Sequence, residues 1–142
     1  MDETYTDEFL TDVLDRTRVI AVVGVSLDEK KPSFYVSEFL QSKGYRVIPV
    51  NPVHAGKSVF GETIRASLSD IEEDVDMVDL FRRPEHVPPL VDEALKAFPS
   101  LGTIWMQLGI AHEDAAATAR AAGVDVVMNR CPKIEYPRLM GR

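Results

Sequence analysis

The stretch Arg18-Val19-Ile20-Ala21-Val22-Val23-Gly24-Val25 decides the fold class of this 142-residue chain. It is an almost unbroken run of β-branched residues, too short for a long helix, and Gly24 closes it. Such a run predicts a strand that is buried on both faces of a sheet. Before this run, Thr6 is predicted to cap an N-terminal helix within residues 1–16. After it, Ser33 is predicted to cap a second helix.

Apolar runs and amphipathic segments continue to alternate along the rest of the chain. Further strands are predicted at residues 46–52, 75–81, 101–108 and 124–128, further helices at 84–98 and 113–122, and a tail at 131–142. This alternation predicts an α/β fold, a doubly wound and mainly parallel Rossmann-like sheet of five to six strands with helices on both faces. We expect one domain over residues 1–142. Because Pro49 cannot donate a backbone hydrogen bond, we also expect a bulge or an unpaired amide position there.

Composition narrows the range of partners. Sixteen Lys and Arg against 23 Asp and Glu give a net charge of −7, which argues against nucleic acid and anionic membranes as partners. The single cysteine, Cys131, and an acidic N-terminus without an apolar leader predict a cytoplasmic location. A protein partner or a second copy of the chain stays open. Apolar residues of the predicted tail, among them Ile134 and Tyr136, can dock on the protein's own sheet or on such a partner.

In sheets of this kind, ligands bind beyond the carboxyl ends of the strands. After the first strand the chain carries Gly24-Val25-Ser26, then Lys31, then Ser33 ahead of a helix. The usual dinucleotide fingerprint has three glycines, and this segment has one. It still offers a glycine turn, two hydroxyls, a lysine and a helix N-terminus, which together can hold a pyrophosphate. The alternative is a solvated loop with an ordinary helix cap at Ser33.

The segments after the second and third strands favour a phosphorylated ligand. Asn51-Pro52 stands where a nicotinamide dinucleotide site usually has an acid for the ribose hydroxyls. The nearby His54 and Lys57 suit a ribose that carries a phosphate. Phe81-Arg82-Arg83 follows the third strand, and its arginines can clamp a phosphate. The alternatives are that Asn51-Pro52 merely ends a strand and that the arginines pair with surface acids.

The last two strands end in residues that can contact a polar ligand chain. Gln107 and Gly109 follow the fourth strand, and Asn129 and Cys131 follow the fifth. A buried, unreactive thiol is the other interpretation of Cys131. The three histidines are scattered, and no cysteine–histidine cluster has metal-ligand spacing, so we predict no metal site.

Five segments at these strand ends resemble the CoA-binding domain family of small stand-alone Rossmann proteins. They are VIAVVGVS (19–26), GYRVIPVNP (44–52), VDLFRRP (78–84), WMQLGI (105–110) and NRCPKIE (129–135). The resemblance spans residues 16–139, and the family also resembles the nucleotide-binding domain of the succinyl-CoA synthetase alpha subunit. That enzyme's second domain, with its phosphorylated histidine, has no counterpart here, so the resemblance does not imply synthetase chemistry.

The resemblance implies coenzyme A as the ligand and assigns its contacts. Gly24-Val25-Ser26 would hold the pyrophosphate, and Asn51-Pro52 the adenosine side. Phe81 and Arg82 would lie against the nucleotide, with Gln107 and Gly109 near the pantetheine arm. Family members usually have Asp where this chain has Asn129. Cys131, if it lies at the same sheet edge, can form a mixed disulfide with the CoA thiol.

We therefore predict a protein that binds coenzyme A or an acyl-CoA, as a carrier, sensor or regulatory module without its own catalysis. Two alternatives remain. The first is an NAD(P)-dependent oxidoreductase or another nucleotide-using enzyme, against which the missing glycines and the missing acid count. The second is a flavodoxin-like receiver domain that is phosphorylated at Asp79.

Overall fold

The structure, a computed structural model, describes residues 4–141. Its strands are β1 (Val19–Val23), β2 (Arg46–Val50), β3 (Ser58–Val59), β4 (Glu62–Thr63), β5 (Met77–Leu80), β6 (Thr103–Met106) and β7 (Asp125–Val127). Its α-helices are α1 (Asp7–Arg16), α2 (Pro32–Ser42), α3 (Val87–Ala97), α4 (Glu113–Ala121) and α5 (Pro132–Met140). Single 3₁₀ turns lie at Pro52–His54, Leu68–Asp70 and Pro84–His86.

Five strands form one parallel sheet in the order β2-β1-β5-β6-β7. This confirms the predicted α/β fold, with five strands in the sheet. From β1 the chain moves outward to β2 and then returns to the other side of β1 to form β5. The loops that follow β1 and β5 therefore leave the sheet in opposite directions. Such a switch point opens a crevice at the carboxyl ends of the strands.

Helices cover both faces of the sheet. Leu10 of α1, Val36 of α2 and Tyr136 of α5 share one buried cluster, and Val91 of α3 and Ala116 of α4 share the other. Alternate residues of β1 enter alternate clusters, as the two-residue period of a strand requires. Since both faces are covered, nearly every residue of the central strands is apolar. No helix within residues 4–141 has the length and apolar character needed to span a bilayer.

Pro49 sits in β2 without a bulge. It stays in register with Val22, and β2 is an outer strand of the sheet. The Pro49 carbonyl accepts from the amide of Arg65, on the side away from β1. The proline nitrogen therefore faces the outer edge, where no ladder hydrogen bond is required of it. Of the two expectations for Pro49, the unpaired amide position is the one observed.

Ser33 does not cap α2 as predicted. The helix begins two residues earlier than a Ser33 cap would place it, at Pro32, and Lys31 is its N-cap residue. Proline is favoured at the first helical position because its missing N–H would have no partner there. Ser33 thus falls in the first turn, and its hydroxyl oxygen accepts from the amide of Ser26 at 2.9 Å.

The predicted tail is instead the helix α5, up to the last described residues. Tyr136 is buried against Phe39 and Tyr45, and Arg138 pairs with Asp7 of α1 at 2.8 Å. Tyr136 thus packs within the protein's own core, whereas Ile134 is exposed. The β3–β4 hairpin was not predicted either. It is attached to β2 by an ion pair between Arg46 and Glu62 at 2.8 Å.

Candidate functional site

Gly24 brings the loops after β1 and β5 into contact. Its φ angle is +91°, and a Cβ atom placed on it would lie 2.6 Å from the carbonyl oxygen of Phe81 and 3.2 Å from Cδ of Arg82. Both features require glycine, because other residues rarely adopt this backbone and none has room for a side chain here. The Gly24 amide donates to the carbonyl of Val50 at 2.9 Å, so the turn is also tied to β2.

The backbone amides of this turn are already used within the protein. The Val25 amide faces the same Val50 carbonyl at 3.4 Å, and the Ser26 amide donates to the Ser33 hydroxyl. These amides therefore shape the turn. The remaining donors of this segment are the hydroxyls of Ser26 and of the buried Ser33, the side chain of Lys31 and the positive N-terminal end of α2.

Asn51 joins the loops after β1 and β2. Its side-chain nitrogen donates to the carbonyl of Val25 at 2.8 Å, and its side-chain oxygen accepts from the amide of Val53 at 2.9 Å. Each end of the amide makes one hydrogen bond within the protein, so Asn51 shapes the rim of the sheet edge. Pro52 follows at the start of a 3₁₀ turn.

Gly24 and Asn51 share one recess at the carboxyl edge of the sheet. Its other lining residues are Phe81, Arg82, Arg83 and His86. Pro52 lines an adjoining recess, together with Arg82 and His86. His54 and Lys57, the cations expected beside a phosphorylated ribose, line neither recess. The positive side chains in that place are Arg82 and Arg83, with the His86 ring beside them, because the loop after β5 folds back toward β2.

A larger cleft of about 650 Å³ continues from this recess. Its walls are the first turn of α2, the loops after β5 and β6, and the start of α5. They comprise Pro32, Tyr35, Val36, Phe81, Arg82, Arg83, Pro84, Gln107, Leu108, Gly109, Ile110, Cys131, Lys133 and Ile134. Phe81, Arg82 and Arg83 line both spaces, so the recess and the cleft adjoin. The lining residues, all in the described part of the chain, include three cations and no carboxylate, although the chain's net charge is −7.

A buried carboxyl supports the floor of the cleft. Asp79 of β5 is fully buried, and Gln107, which lines the cleft, is 4 % exposed. With the Gln107 amide oriented so that its nitrogen faces Asp79, that nitrogen lies 2.9 and 3.2 Å from the two carboxyl oxygens. Burial raises the pKa of the Asp79 carboxyl well above its usual range, since the charged form loses its hydration. This pair was not predicted, and its signal in the sequence is an acid inside an otherwise apolar strand.

Asn129 fixes the loop after β6. Its backbone is left-handed (φ 57°), a conformation that asparagine tolerates better than most residues. Its side-chain oxygen accepts from the Gly109 amide at 2.8 Å. Cys131 follows as the N-cap residue of α5, buried but in the wall of the cleft. A neutral asparagine is sufficient here, because the group it binds is a backbone amide.

The predicted site residues divide into two groups. Those that line the cleft or its recesses are Gly24, Asn51, Pro52, Phe81, Arg82, Gln107, Gly109 and Cys131. Those behind the surface or beside it are Val25, Ser26, Lys31, Ser33 and Asn129. The cleft also contains three residues that were not predicted to line it, Tyr35, Lys133 and Ile134, the last two because residues 131–142 were predicted to be a tail. Among residues 4–141, no three His, Cys, Asp or Glu side chains are placed to hold a metal ion.

The receiver-domain alternative requires an aspartate that a phosphoryl donor can reach. Asp79 is fully buried beneath Gln107 and is flanked along β5 by buried apolar residues. The structure therefore gives Asp79 no accessible face for phosphorylation.

Comparisons with known proteins agree with this geometry. A family model described as a CoA binding domain matches residues 18–137. The uncharacterized protein YneT of Bacillus subtilis (strain 168) is 33 % identical over 127 residues, which are 89 % of this chain and 91 % of YneT. The solved structure of a Thermus thermophilus protein, cell-free ID.343, is 38 % identical with a TM-score of 0.89, over 95 % of this chain and 99 % of that one.

A larger enzyme contains the same fold. A dinucleotide-forming acetyl-coenzyme A synthetase from Ca. Korarchaeum cryptofilum matches 82 % of this chain with a TM-score of 0.65. The match covers 27 % of that enzyme at 22 % identity, so it shows a shared fold.

Proposed function

Because this chain belongs to the CoA binding domain family, we propose that it binds coenzyme A at the carboxyl ends of its parallel strands. We further propose that it is a cytoplasmic carrier, sensor or regulatory module without catalysis of its own. One observation carries the proposal. Gly24 and Asn51 lie in one recess with two arginines, and that recess adjoins a cleft without carboxylates.

The charged half of coenzyme A matches the recess. This half carries a pyrophosphate and a ribose 3′-phosphate, so it needs cations and hydrogen-bond donors. Arg82 and Arg83 supply positive side chains there, His86 adds a ring that can form hydrogen bonds, and the hydroxyls of Ser26 and Ser33 lie behind the turn. Arginine is suited to this task because its planar fork can bind two phosphate oxygens at once. No acid is needed for the ribose, which agrees with Asn51 at the end of β2.

The pantetheine half matches the adjoining cleft. It is an arm with two amides, a dimethyl group and a terminal thiol, so it needs apolar walls with a few polar partners. Gln107 supplies one such partner. Since its nitrogen is held by Asp79, its oxygen is left to accept an N–H from the arm. Cys131 lies in the same wall, on the side where we place the thiol.

Thermal unfolding with a panel of ligands tests the proposal. We expect coenzyme A to raise the melting temperature more than NAD, NADP or ATP at equal concentration. A ligand at 100 times its Kd stabilises the folded state by about 2.7 kcal/mol. Dephospho-CoA, which lacks the 3′-phosphate, should bind more weakly than coenzyme A. Arg82→Gln should weaken coenzyme A binding, whereas Lys96→Gln, the same charge change on an exposed part of α3, should not.

Two results would contradict the proposal. One is stabilisation by NAD or NADP with none by coenzyme A, which would favour the oxidoreductase alternative. The other is coenzyme A binding that responds equally to both substitutions, because a general loss of positive charge would then explain it.

A further inference from the structure

Exposed apolar side chains are concentrated at one place on this molecule. The large apolar residues exposed within residues 4–141 are Tyr35 (40 %), Leu108 (55 %), Ile134 (54 %) and Val53 (80 %). The first three line the same cleft, although they come from α2, the loop after β6 and α5. Val53 lies apart from it, on the 3₁₀ turn after β2. Three distant segments thus converge to form one apolar wall.

This wall also includes side chains that are not assigned to the pantetheine arm. Ile110, half-buried, extends it in the loop after β6, where its amide donates to the Gln107 carbonyl at 2.9 Å. Apolar surface left in water is unfavourable, and a contiguous apolar patch marks a place where another apolar group binds. The residues assigned to the arm, Gln107, Gly109 and Cys131, do not include these apolar side chains, and coenzyme A with a free thiol has no acyl group to cover them.

Resting on the proposed function, we propose that the preferred ligand is a CoA thioester with an uncharged, apolar acyl chain that lies against Tyr35, Leu108 and Ile134. The charge of the site favours this occupant. Arginines stand at the end shared with the recess, and no carboxylate lines any part of the cleft. The ligand that complements this site carries negative charge at one end and is apolar at the other.

The position of Lys133 favours an uncharged chain over one that ends in a carboxylate. Its ammonium group lies 5.1 Å from the ring centroid of Phe39, a cation–π contact with α2. A carboxylate at the end of the chain would have to draw Lys133 away from that ring. An alkyl chain needs no such change.

Affinities for a series of thioesters test the inference. We expect octanoyl-CoA to bind about tenfold or more tightly than coenzyme A, with butyryl-CoA between them, because each added methylene buries apolar surface. Succinyl-CoA should bind no more tightly than coenzyme A. The double variant Leu108→Ser, Ile134→Ser should lose the dependence on chain length, measured as the ratio of its own affinities for octanoyl-CoA and coenzyme A. Both side chains are more than half exposed, so their replacement leaves the core intact.

Val53→Ser is the matched control, since it removes an even more exposed apolar side chain that lines no part of the cleft. It should leave the chain-length dependence unchanged. Equal affinities across the series would overturn the inference. The inference would also be overturned by a wild-type dimer that the double variant converts to a monomer, if the affinities of the wild type do not depend on chain length. A second copy of the chain would then cover the wall. If coenzyme A itself fails to bind, the proposed function fails. If it binds and the series is flat, only this inference fails.

Discussion

The side-chain nitrogen of Asn51 donates to the carbonyl oxygen of Val25 at 2.8 Å, and this bond joins the loops that follow β1 and β2. It brings the two chain segments expected to hold the pyrophosphate and the adenosine to one edge of the sheet. Where nicotinamide sites have an acid that binds the ribose, this chain has Asn51, whose side chain builds the rim.

Asn51→Ala should therefore weaken both the fold and the site. It removes two hydrogen bonds and leaves the carbonyl of the buried Val25 without this donor, which together cost about 1–3 kcal/mol of unfolding free energy. Urea unfolding measures this loss, and the affinity for coenzyme A should fall with it. Asn51→Asp keeps an acceptor for the Val53 amide and sets a second carboxylate oxygen against Val25. An Asp variant as stable as the wild type would show that the bond to Val25 contributes little.

Gly24→Ala should be more costly than an alanine at another left-handed glycine. The new Cβ meets the Phe81 carbonyl oxygen at 2.6 Å in addition to the backbone strain at φ +91°, about 2–4 kcal/mol in all. Gly123→Ala is the control. Gly123 also has a left-handed backbone (φ +84°), but no atom lies within 4 Å of an added Cβ, so alanine there causes backbone strain without a steric clash. We expect Gly24→Ala to lose more stability in urea and also to lose coenzyme A binding. Equal losses of stability would mean that the loop after β5 moves away easily.

Asp79→Asn should stabilise the protein at neutral pH. Burial raises the pKa of the Asp79 carboxyl in the folded state, whereas an aspartate in the unfolded chain titrates near about 3.9. The folded state thus holds the proton more tightly. The contribution of Asp79 to stability is complete below about pH 4 and is lost as the pH rises toward the raised pKa, at up to about 1.4 kcal/mol per pH unit.

Urea unfolding of the wild type and Asp79→Asn between pH 4 and pH 8 measures this effect. The variant's advantage in unfolding free energy should be largest at pH 8 and shrink toward pH 4. Asp92→Asn, on the exposed side of α3, should show no such trend. A difference between Asp79→Asn and the wild type that stays constant with pH would mean that Asp79 is charged in both states.

Cys131 provides a probe of the orientation of the ligand. With the thiol end at Cys131, the Cys131 thiolate can attack CoA disulfide. This step forms a protein–CoA disulfide and releases one CoA thiolate. Intact-mass analysis should show a single CoA adduct on the wild type, reversible by a reductant, and none on Cys131→Ser. A wild type that stays unmodified while it binds coenzyme A would place the thiol elsewhere.

The fold was largely predictable because its signals are local. The run from Arg18 to Val25 predicts a strand buried on both faces, and its β-branched residues leave no competing helical pattern. Ser33 and the tail were mispredicted for a related reason. In each case a proline, Pro32 or Pro132, occupies the first helical position. Proline favours a helix at that position, but because it breaks helices elsewhere, the helix start is hard to recognise in the sequence. The β3–β4 hairpin has only two residues in each strand and depends on Arg46, so no periodicity signals it.

The site was predictable only where it follows a strand end. Gly24, Asn51, Arg82 and Gln107 all stand at such ends, and the parallel order brings them together. The residues that were missed arrive by tertiary packing. His86 reaches the recess because the chain turns back after β5, and Ile134 reaches the cleft because α5 packs on the sheet. Neither arrangement leaves a pattern within the sequence around those residues.

Chemical-shift mapping of the backbone amides on titration with coenzyme A locates the ligand on the sheet. We expect the perturbed amides to lie at the carboxyl ends of the strands, at Gly24, Ser26, Asn51, Arg82 and Gly109. Arg46 and Gly102, at the opposite edge of the sheet, should keep their shifts. Shifts confined to that opposite edge, or no shifts at saturating coenzyme A, would show that coenzyme A does not bind at the carboxyl ends.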